Sequence, residues 1–479
     1  MSRIGLAMLL ALALAGEAQA DAGTALRQAL AAQDRGETEG AIELYSRALE
    51  EEDRLSPDQR VLARNNRAVA LRTSGQLERA IEDYESALRL RPRDRDLLFN
   101  RALAFKQAGQ HARAKTELEQ LVASDPEDAQ ARYQLGRSLQ AMGALEPAIE
   151  VFEDLSRRAK AFAPALAAKG EALAALKRHE DAVAAFDEAL KLSPDHPDYL
   201  RGRGFSRSGL GFHELAIADY KAALEQAPGD ARSYRGSADA HRRLGRHDQA
   251  LADYGRAIDL APDDFLARYG QGLSLKAEGR YSAALDAFGA AVQIEPRFGL
   301  GYKQRGAMRF YLGHFEAAAR DLRRAIGIRG ARPYLVLWLY LARERAGLDG
   351  RAELEAYAQS LEPDAWPAPI VSLFLGETMP EALLASFTDV DHRRRRELEC
   401  EAYFYIGQVQ LLQGKLSEAA VSFRRSVEQG ITTFMEHQGA QVELRKLAAH
   451  LPTARDGSGL DTAAVGLPGA REQISQRLP

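Results

Sequence analysis

Alanine recurs in this sequence at a fixed interval of 34 residues. The alanine column comprises Ala80, Ala114, Ala148, Ala182, Ala216, Ala250, Ala284, Ala318 and Ala352. Such a period indicates copies of one supersecondary unit, each too small to bury an apolar face by itself. We therefore expect the copies to stack around one continuous core rather than to fold as separate globular domains.

Other residue types keep the same period and predict a pair of helices in each copy. Small residues stand twelve positions before the alanine column, at Ala68, Ala102, Gly136, Gly170, Gly204, Ala238, Gly272 and Gly306. Aromatic residues usually follow the column by four positions, at Tyr84, Phe152, Phe186, Tyr220, Tyr254 and Phe288. Two helices can approach closely only where the contact carries little side chain, so the small columns mark the contacts and the aromatic rings fill the next layer. Glycines five positions before the column indicate the turn between the helices.

These columns resemble those of the tetratricopeptide repeat (TPR) family. The resemblance implies an all-α fold, a right-handed TPR superhelical solenoid of about ten to eleven helix-turn-helix repeats. Nine good copies start near Ala22, Val61, Arg95, Ala129, Ala163, Pro197, Ala231, Phe265 and Gly299. A degenerate copy keeps register from Pro333, and another good copy starts at Cys400.

The breaks in the period predict the domain organisation. We expect a signal peptide over residues 1–20, a nine-repeat solenoid over 21–332, a C-terminal module over 333–450 and a disordered tail over 451–479. Within the module, the prolines of residues 366–399 suggest short helices in an irregular insert. Between Ala22 and Val61, five extra residues predict a longer loop.

The first twenty residues, MSRIGLAMLLALALAGEAQA, have the pattern of a cleavable secretory signal. Arg3 precedes an apolar run from Ile4 to Ala15, and an A-x-A motif ends at Ala20. The run is shorter than the roughly 20 residues that a spanning helix needs, so we expect no permanent membrane span. No cysteine stands near the cut to carry a lipid anchor. The mature chain is expected to be periplasmic or secreted.

Cofactor and metal chemistry is not expected. His111, His179, His213 and His247 fall in one column of successive repeats, which we interpret as turn residues because equivalent positions lie too far apart to share a zinc ion. Cys400, the only cysteine, is interpreted as a buried apolar residue. The formal net charge of −4 gives no sign of bulk nucleic-acid binding.

The TPR resemblance also implies a binding groove, lined by the second, fifth, ninth and twelfth positions of each first helix and by their neighbours. In the earlier repeats the candidate partner-binding residues are Asn65, Asn66, Asn100, Tyr133 and Arg137. In the later repeats they are Arg201, Phe205, Arg232, Arg235, Arg242, Arg243, Tyr269, Lys276, Lys303 and Tyr311.

The two halves of this groove differ in chemistry. Amides in the early half suit hydrogen bonding to an extended peptide, together with Gln130 and Gln134. The basic later half suggests binding of acidic peptide segments or a chain-terminal carboxylate, and the alternative is a merely solvated face. The family's carboxylate-clamp pattern is not matched, since Asp239 and Gly270 stand at the partner positions of Arg235.

The last third also resembles the NlpI family of bacterial TPR lipoproteins. The resemblance rests on LWLYLA (337–342), Trp366, IVSLFLG (370–376), CEAYFYIGQVQLLQGKL from Cys400 and FMEHQGAQVEL from Phe434. It implies an envelope adaptor that binds a periplasmic processing protease and peptidoglycan hydrolases. The chain departs from the family in lacking the lipid-bearing cysteine and in carrying more repeats.

Three classes of function follow from these features. An enzyme is disfavoured because no nucleophile motif, metal spacing or phosphate loop stands in the sequence. The favoured hypothesis is a non-catalytic scaffold or adaptor that binds protein partners in cell-envelope maintenance. The alternative is a structural subunit of an envelope assembly or a polysaccharide-export machine.

Overall fold

The computed structural model describes residues 22–159, 161–329, 333–362, 365–387 and 390–448. These residues form 25 α-helices and one short 3₁₀ helix, and the described part contains no strand. The predicted all-α repeat fold is confirmed. The predicted signal peptide (1–20) and the tail from residue 451 lie outside the described residues.

Nine helix pairs follow one another from Ala22 to Arg329. The first helices are α1 (Ala22–Asp34), α3 (Pro57–Thr73), α5 (Arg95–Gln107), α7 (Ala129–Ala141), α9 (Ala163–Ala175), α11 (Pro197–Gly209), α13 (Ala231–Arg243), α15 (Phe265–Ala277) and α17 (Gly299–Tyr311). The second helices are α2 (Thr38–Glu50), α4 (Leu77–Leu90), α6 (His111–Ser124), α8 (Leu145–Arg158), α10 (His179–Leu192), α12 (His213–Gln226), α14 (His247–Leu260), α16 (Tyr281–Ile294) and α18 (Phe315–Arg329).

Seven helices complete the described chain. They are α19 (Pro333–Arg345), α20 (Arg351–Ala358), α21 (Ala368–Leu375), α22 (Pro380–Ala385), α23 (His392–Leu412), α24 (Leu416–Glu428) and α25 (Met435–Ala448). The two short helices α21 and α22 fall in the segment where prolines interrupt the period. Helix α23 begins eight residues before Cys400, and its first five residues include four consecutive arginines, Arg393 to Arg396.

Eight of the nine predicted starts coincide with the first residue of a helix, and the second copy differs. There α3 begins at Pro57 rather than at Val61. The Ser56 hydroxyl accepts the Gln59 backbone N–H at 3.2 Å, and the Gln59 side chain accepts the Ser56 N–H at 2.8 Å. This capping box, with proline at the first helical position, adds a turn to α3. The five inserted residues are thus taken up by this turn and by the 3₁₀ helix Glu52–Arg54 instead of a longer loop.

The chain divides into two compact units, one ending at Leu260 and the other beginning at Ala261. The first unit holds α1 to α14, and the second holds α15 to α25. In the first unit, glycine meets an aromatic ring at the predicted helix contacts. A Cβ atom added at Gly136 would lie 2.4 Å from the Phe152 ring, and one added at Gly170 would lie 2.9 Å from the Phe186 ring. A larger residue at either position would therefore displace the aromatic ring that packs there.

The turn between the two helices of a repeat requires a left-handed residue. Glycine fills it in most repeats with a φ near +75°, as at Gly143 and Gly245 (77° and 74°). In the fifth repeat the position is occupied by Lys177, with a φ of 63°. A side chain with a Cβ pays about 1 kcal/mol or more in this conformation.

Replacing Lys177 with glycine is therefore expected to raise the free energy of unfolding by about 0.5 to 1 kcal/mol. The gain is smaller than the backbone strain that is removed, because glycine also increases the conformational entropy of the unfolded chain. Lys177→Ala is the matched control, since alanine keeps the strained Cβ. Urea denaturation of the three proteins checks this, and equal stability of the glycine and alanine variants would contradict it.

In the second unit, the C-terminal helices close around Trp338. This indole is 1% exposed, and it lies 5.0 Å from the Phe310 ring and 5.2 Å from the Phe404 ring. Helix α25 lies against α17, α23 and α24. The second unit thus combines the ninth repeat and the C-terminal segment in one core. Of the helices described, none has both the length and the apolar character needed to cross a bilayer.

Candidate functional site

Successive first helices lie against one another in the first unit. Helices α3, α5, α7, α9 and α11 each contact the next first helix as well as their own second helix. Side chains from neighbouring repeats therefore meet along one face. We call it the first-helix face, formed by the second, fifth, sixth, ninth and twelfth positions of each repeat.

A chain of hydrogen bonds crosses the first three repeats. The Asn100 side-chain amide donates to Asn65 Oδ1 at 3.1 Å, and the Asn65 amide donates to Asn66 Oδ1 at 3.1 Å. The Asn66 amide donates to the Tyr45 hydroxyl at 3.3 Å, which donates to Gln33 Oε1 at 2.6 Å. The three asparagines are half-buried. Each side-chain amide has two N–H donors and a two-lone-pair acceptor, so these bonds leave capacity for a peptide main chain.

The fourth repeat contributes a ring and a cation. The Tyr133 ring lies 5.5 Å from the Phe162 ring and 6.2 Å from the Phe152 ring, and burial raises the pKa of its phenol. The Arg137 guanidinium donates to Glu171 of the fifth repeat. Tyr133 is thus held by packing, while Arg137 already has an acidic partner.

Sequence reasoning missed Lys106, at the twelfth position of the third repeat. Its ammonium donates to Gln134 Oε1, and burial, followed by repulsion from Arg137, lowers the pKa of Lys106 to about 8. A lone lysine among helical residues gives no signal of this kind. Only its register relative to Gln134, 28 residues on, could have indicated it.

The sixth repeat combines a paired arginine with an exposed ring. Arg201 forms ion pairs with Asp198 at 2.6 Å and with Asp230 at 2.8 Å. Phe205, one turn further along α11, is 56% exposed, and its ring lies 6.1 Å from the His179 ring. The ring is available to a partner, whereas the arginine charge is largely compensated.

The seventh repeat has the densest arginines. Arg232 and Arg243 are exposed, and Arg235 is half-buried. Arg242 Nε donates to the Tyr254 hydroxyl at 3.3 Å, and its Nη2 lies 3.4 Å from Asp239. The predicted basic half thus carries its own carboxylates, which weakens its field toward an acidic ligand.

In the second unit, Lys276 lies between α15 and α17. Its ammonium donates to Gln304 Oε1 at 3.1 Å, and burial, followed by repulsion from Lys303, lowers the pKa of Lys276 to about 8. Tyr269, two helical turns earlier on α15, has its ring 4.9 Å from the Phe298 ring. These three predicted residues lie on the side of α15 and α17 that carries the groove positions.

Tyr311 is not a groove residue, and its prediction is corrected. The side chain is 2% exposed, and the hydroxyl donates to the Met435 carbonyl oxygen at 2.8 Å. Burial raises the pKa of this phenol well above its ordinary value. The cause is helix α25, which follows 124 residues later in the sequence and covers this part of α17.

No group of three or more His, Cys, Asp or Glu side chains in the described segments is arranged to hold a metal ion. The Cys400 thiol is buried, and burial raises its pKa to about 12. Neither observation adds a chemical centre to the first-helix face.

Tetratricopeptide repeat models match several stretches of this chain between residues 70 and 297. Those described as tetratricopeptide repeat match residues 203–265 and 237–297, 105–172, and 163–196. One described as TPR repeat matches residues 70–109. Together they follow the helix pairs from the second repeat to the eighth.

One curated relative is the lipoprotein NlpI homolog of Haemophilus influenzae, with 31% identity over 146 residues. The match covers 30% of this chain and 46% of the relative, so the chain spans less than half of that protein. Among solved structures, a tetratricopeptide repeat protein from Parabacteroides merdae has a TM-score of 0.43 and 19% identity, covering 52% of this chain and 98% of that one. YrrB, described as a TPR protein with an unusual peptide-binding site, has a TM-score of 0.33 and 20% identity, covering 38% and 95%.

Proposed function

We infer that this chain, a tetratricopeptide repeat protein that resembles NlpI, is a non-catalytic scaffold that binds protein partners on its first-helix face. The repeats supply rigid helix pairs, and the face between them supplies amide, aromatic and basic side chains from successive repeats. A scaffold of this kind needs no cofactor.

We further propose a periplasmic or secreted adaptor in cell-envelope maintenance, with a processing protease or a peptidoglycan hydrolase as partner. The export signal expected in residues 1–20 and the likeness to an NlpI homolog support this role. Partners that present acidic segments fit the exposed cations Arg232 and Arg243.

Phe205 carries the proposal. A phenylalanine that leaves 56% of its surface in water on the first-helix face forgoes about 1 kcal/mol or more of burial energy, which a partner recovers by covering it. Aromatic residues are enriched where protein interfaces form. Phe212 is also 56% exposed, but it precedes α12 in the turn between the helices and so lies off this face.

Affinity capture of the full tagged chain from its own periplasm, with mass spectrometry, tests the proposal. We expect Phe205→Ala to lower partner recovery about tenfold, or ~1.4 kcal/mol, while unfolding stability changes by less than about 0.5 kcal/mol. Phe212→Ala is the matched control and should capture as the wild type does.

The identity of the captured protein separates the functions. A protease or hydrolase lost with Phe205→Ala supports the adaptor. Polymer-export components would instead support the structural subunit of an export machine. If Phe205→Ala and Phe212→Ala both captured the partner as well as the wild type does, the partner would bind elsewhere than on the first-helix face. Deleting residues 333–479 is unsuitable, because it would also strip Phe310 and Tyr311 of their packing against Trp338.

A further inference from the structure

The lysine and glutamine pair of the first unit recurs in the second unit at the same repeat register. Lys106 donates to Gln134, and Lys276 donates to Gln304, with 28 residues between the partners in each case. Lys106 and Lys276 are 170 residues apart, which is five periods of 34. Both lysines occupy the twelfth position of a first helix, and both glutamines occupy the sixth position of the next one.

The two residue types occur together in the repeats. The twelfth positions of the second to ninth repeats are Arg72, Lys106, Gln140, Ala174, Ser208, Arg242, Lys276 and Phe310. The sixth positions that follow them are Asn100, Gln134, Ala168, Gly202, Gly236, Gly270, Gln304 and Trp338. Lysine thus stands at the twelfth position only in the two repeats that are followed by glutamine. Helix packing alone does not require this, since most repeats use other residues at both positions.

Each lysine has a neutral partner where other cations of the same face have a carboxylate. Arg201 pairs with Asp230, and Arg242 lies beside Asp239. Each lysine instead donates to a glutamine amide oxygen and has a second cation nearby. For Lys106 that cation is Arg137, whose own carboxylate partner is Glu171. A half-buried ammonium in such surroundings is poorly stabilised.

The surroundings of Lys276 are similar. Lys303 of α17 repels it, and Glu436 of α25 attracts it. The Glu436 carboxylate, however, already accepts the Trp338 N–H at 2.9 Å and the Tyr405 hydroxyl at 2.8 Å. Burial remains the largest influence and lowers the pKa of Lys276 to about 8, as it does for Lys106.

We propose that each lysine and glutamine pair is a binding site for an aspartate or glutamate side chain of a protein partner. A carboxylate accepts from the ammonium in a charge-assisted hydrogen bond, and the glutamine amide has two N–H donors of its own to offer the second oxygen. The second cation, Arg137 or Lys303, adds attraction at longer range. This inference rests on the proposed function and names the chemistry by which a partner is recognised.

The sites also couple binding to protons. A bound carboxylate favours the charged ammonium and so raises the lysine pKa. At pH 8, where a fraction of Lys106 and Lys276 is neutral in the free protein, binding takes up protons. At pH 6 both lysines are already charged in the free protein, so binding takes up no protons.

Isothermal titration of the full chain tests the proposal with a synthetic peptide of alternating glutamate and alanine, acetylated and amidated so that only side-chain carboxylates remain. We expect binding that weakens at least tenfold in Lys106→Gln/Lys276→Gln. We also expect enthalpies at pH 8 that differ between phosphate and Tris buffers by the protons taken up. The charge-matched control is Arg91→Gln/Arg246→Gln, whose arginines pair with exposed carboxylates. It should bind as the wild type does.

Three results would overturn the inference: no binding of the peptide, equal binding by the two double variants, or preference for a peptide with glutamine for glutamate and a free terminal carboxylate. The last result would assign the sites to a chain terminus. Failure here leaves the proposed function separately testable, because capture that depends on Phe205 and is unchanged in Lys106→Gln/Lys276→Gln would keep the scaffold and remove only these sites.

Discussion

Replacing Asp83 with alanine is expected to lower the free energy of unfolding of the first unit by about 3 to 5 kcal/mol. Asp83 is 4% exposed and accepts both arms of Arg67, Nε to Oδ2 at 2.7 Å and Nη2 to Oδ1 at 2.6 Å. Arg64 Nη1 lies 3.6 Å from the same carboxylate. Without the carboxylate, Arg67, whose side chain is only 17% exposed, remains without this charge partner between α3 and α4.

The fourth repeat supplies the matched control for this variant. At the positions equivalent to Arg67 and Asp83 it has Leu135 and Val151, and both pack in the apolar core of the first unit. The double variant Arg67→Leu/Asp83→Val should therefore recover most of the loss, since a buried ion pair and a well-packed apolar pair have similar net stability. Urea unfolding and native-state hydrogen exchange of α3 and α4 measure the loss in the single variant and the recovery in the double variant. Equal losses in the single and double variants would show that the cost is packing rather than an unpaired charge.

The helix pairs illustrate what the sequence predicts well. Within a repeat, contacts are local and repeated, so columns of alanine, glycine and aromatic residues fix the helix pairs and their starts. The period places the start of the second copy four residues late, at Val61, because a capping box at Ser56 starts the helix earlier. Lys177 shows that the turn geometry persists even where glycine is missing.

Contacts between distant segments explain what the sequence did not predict. Tyr311 occupies a groove position by register, but it is buried by a helix 124 residues later that no repeat pattern places there. Similarly, periodicity puts Arg201 and Lys276 on the same kind of face. Whether each has a carboxylate or an amide as its partner depends on single residues of the next repeat, Asp230 and Gln304. The repeat period thus predicts which face a side chain lies on, and the residue that it pairs with in the next repeat determines the chemistry of that face.

A pair of buried carboxylates in the second unit predicts an unusual dependence of stability on pH. Glu401 on α23 is 4% exposed and accepts the Trp366 indole N–H at 2.6 Å. Burial, followed by repulsion from Glu436 on α25, raises the pKa of Glu401 to about 8. Arg394 lowers this pKa and Glu397 raises it, both by smaller amounts.

The raised pKa means that the folded protein holds a proton that the unfolded chain has released. Between an ordinary glutamate pKa of about 4.3 and the folded value near 8, stability should fall with rising pH by up to roughly 1.4 kcal/mol per pH unit on account of Glu401. This contribution is fully present below the unfolded pKa and is lost as pH rises through the folded pKa. Glu401→Gln keeps the acceptor for Trp366 and removes the charge, so at pH 8 it should be more stable than the wild type by several kcal/mol.

Comparing the two proteins at each pH isolates this group from its neighbours. Burial lowers the pKa of His437 on α25, which gives a slope of the opposite sign near pH 6, and Lys276 contributes only above about pH 8. Both contributions cancel in the difference between the wild type and Glu401→Gln.

Glu418→Gln, on the exposed first turn of α24, is the control and should leave the pH profile unchanged. The expected advantage of Glu401→Gln grows from about pH 5 to pH 8 and then levels off. A constant difference at every pH would instead indicate a packing effect without a retained proton, and greater wild-type stability at pH 8 would show that the Glu401 carboxylate is stabilised as an anion.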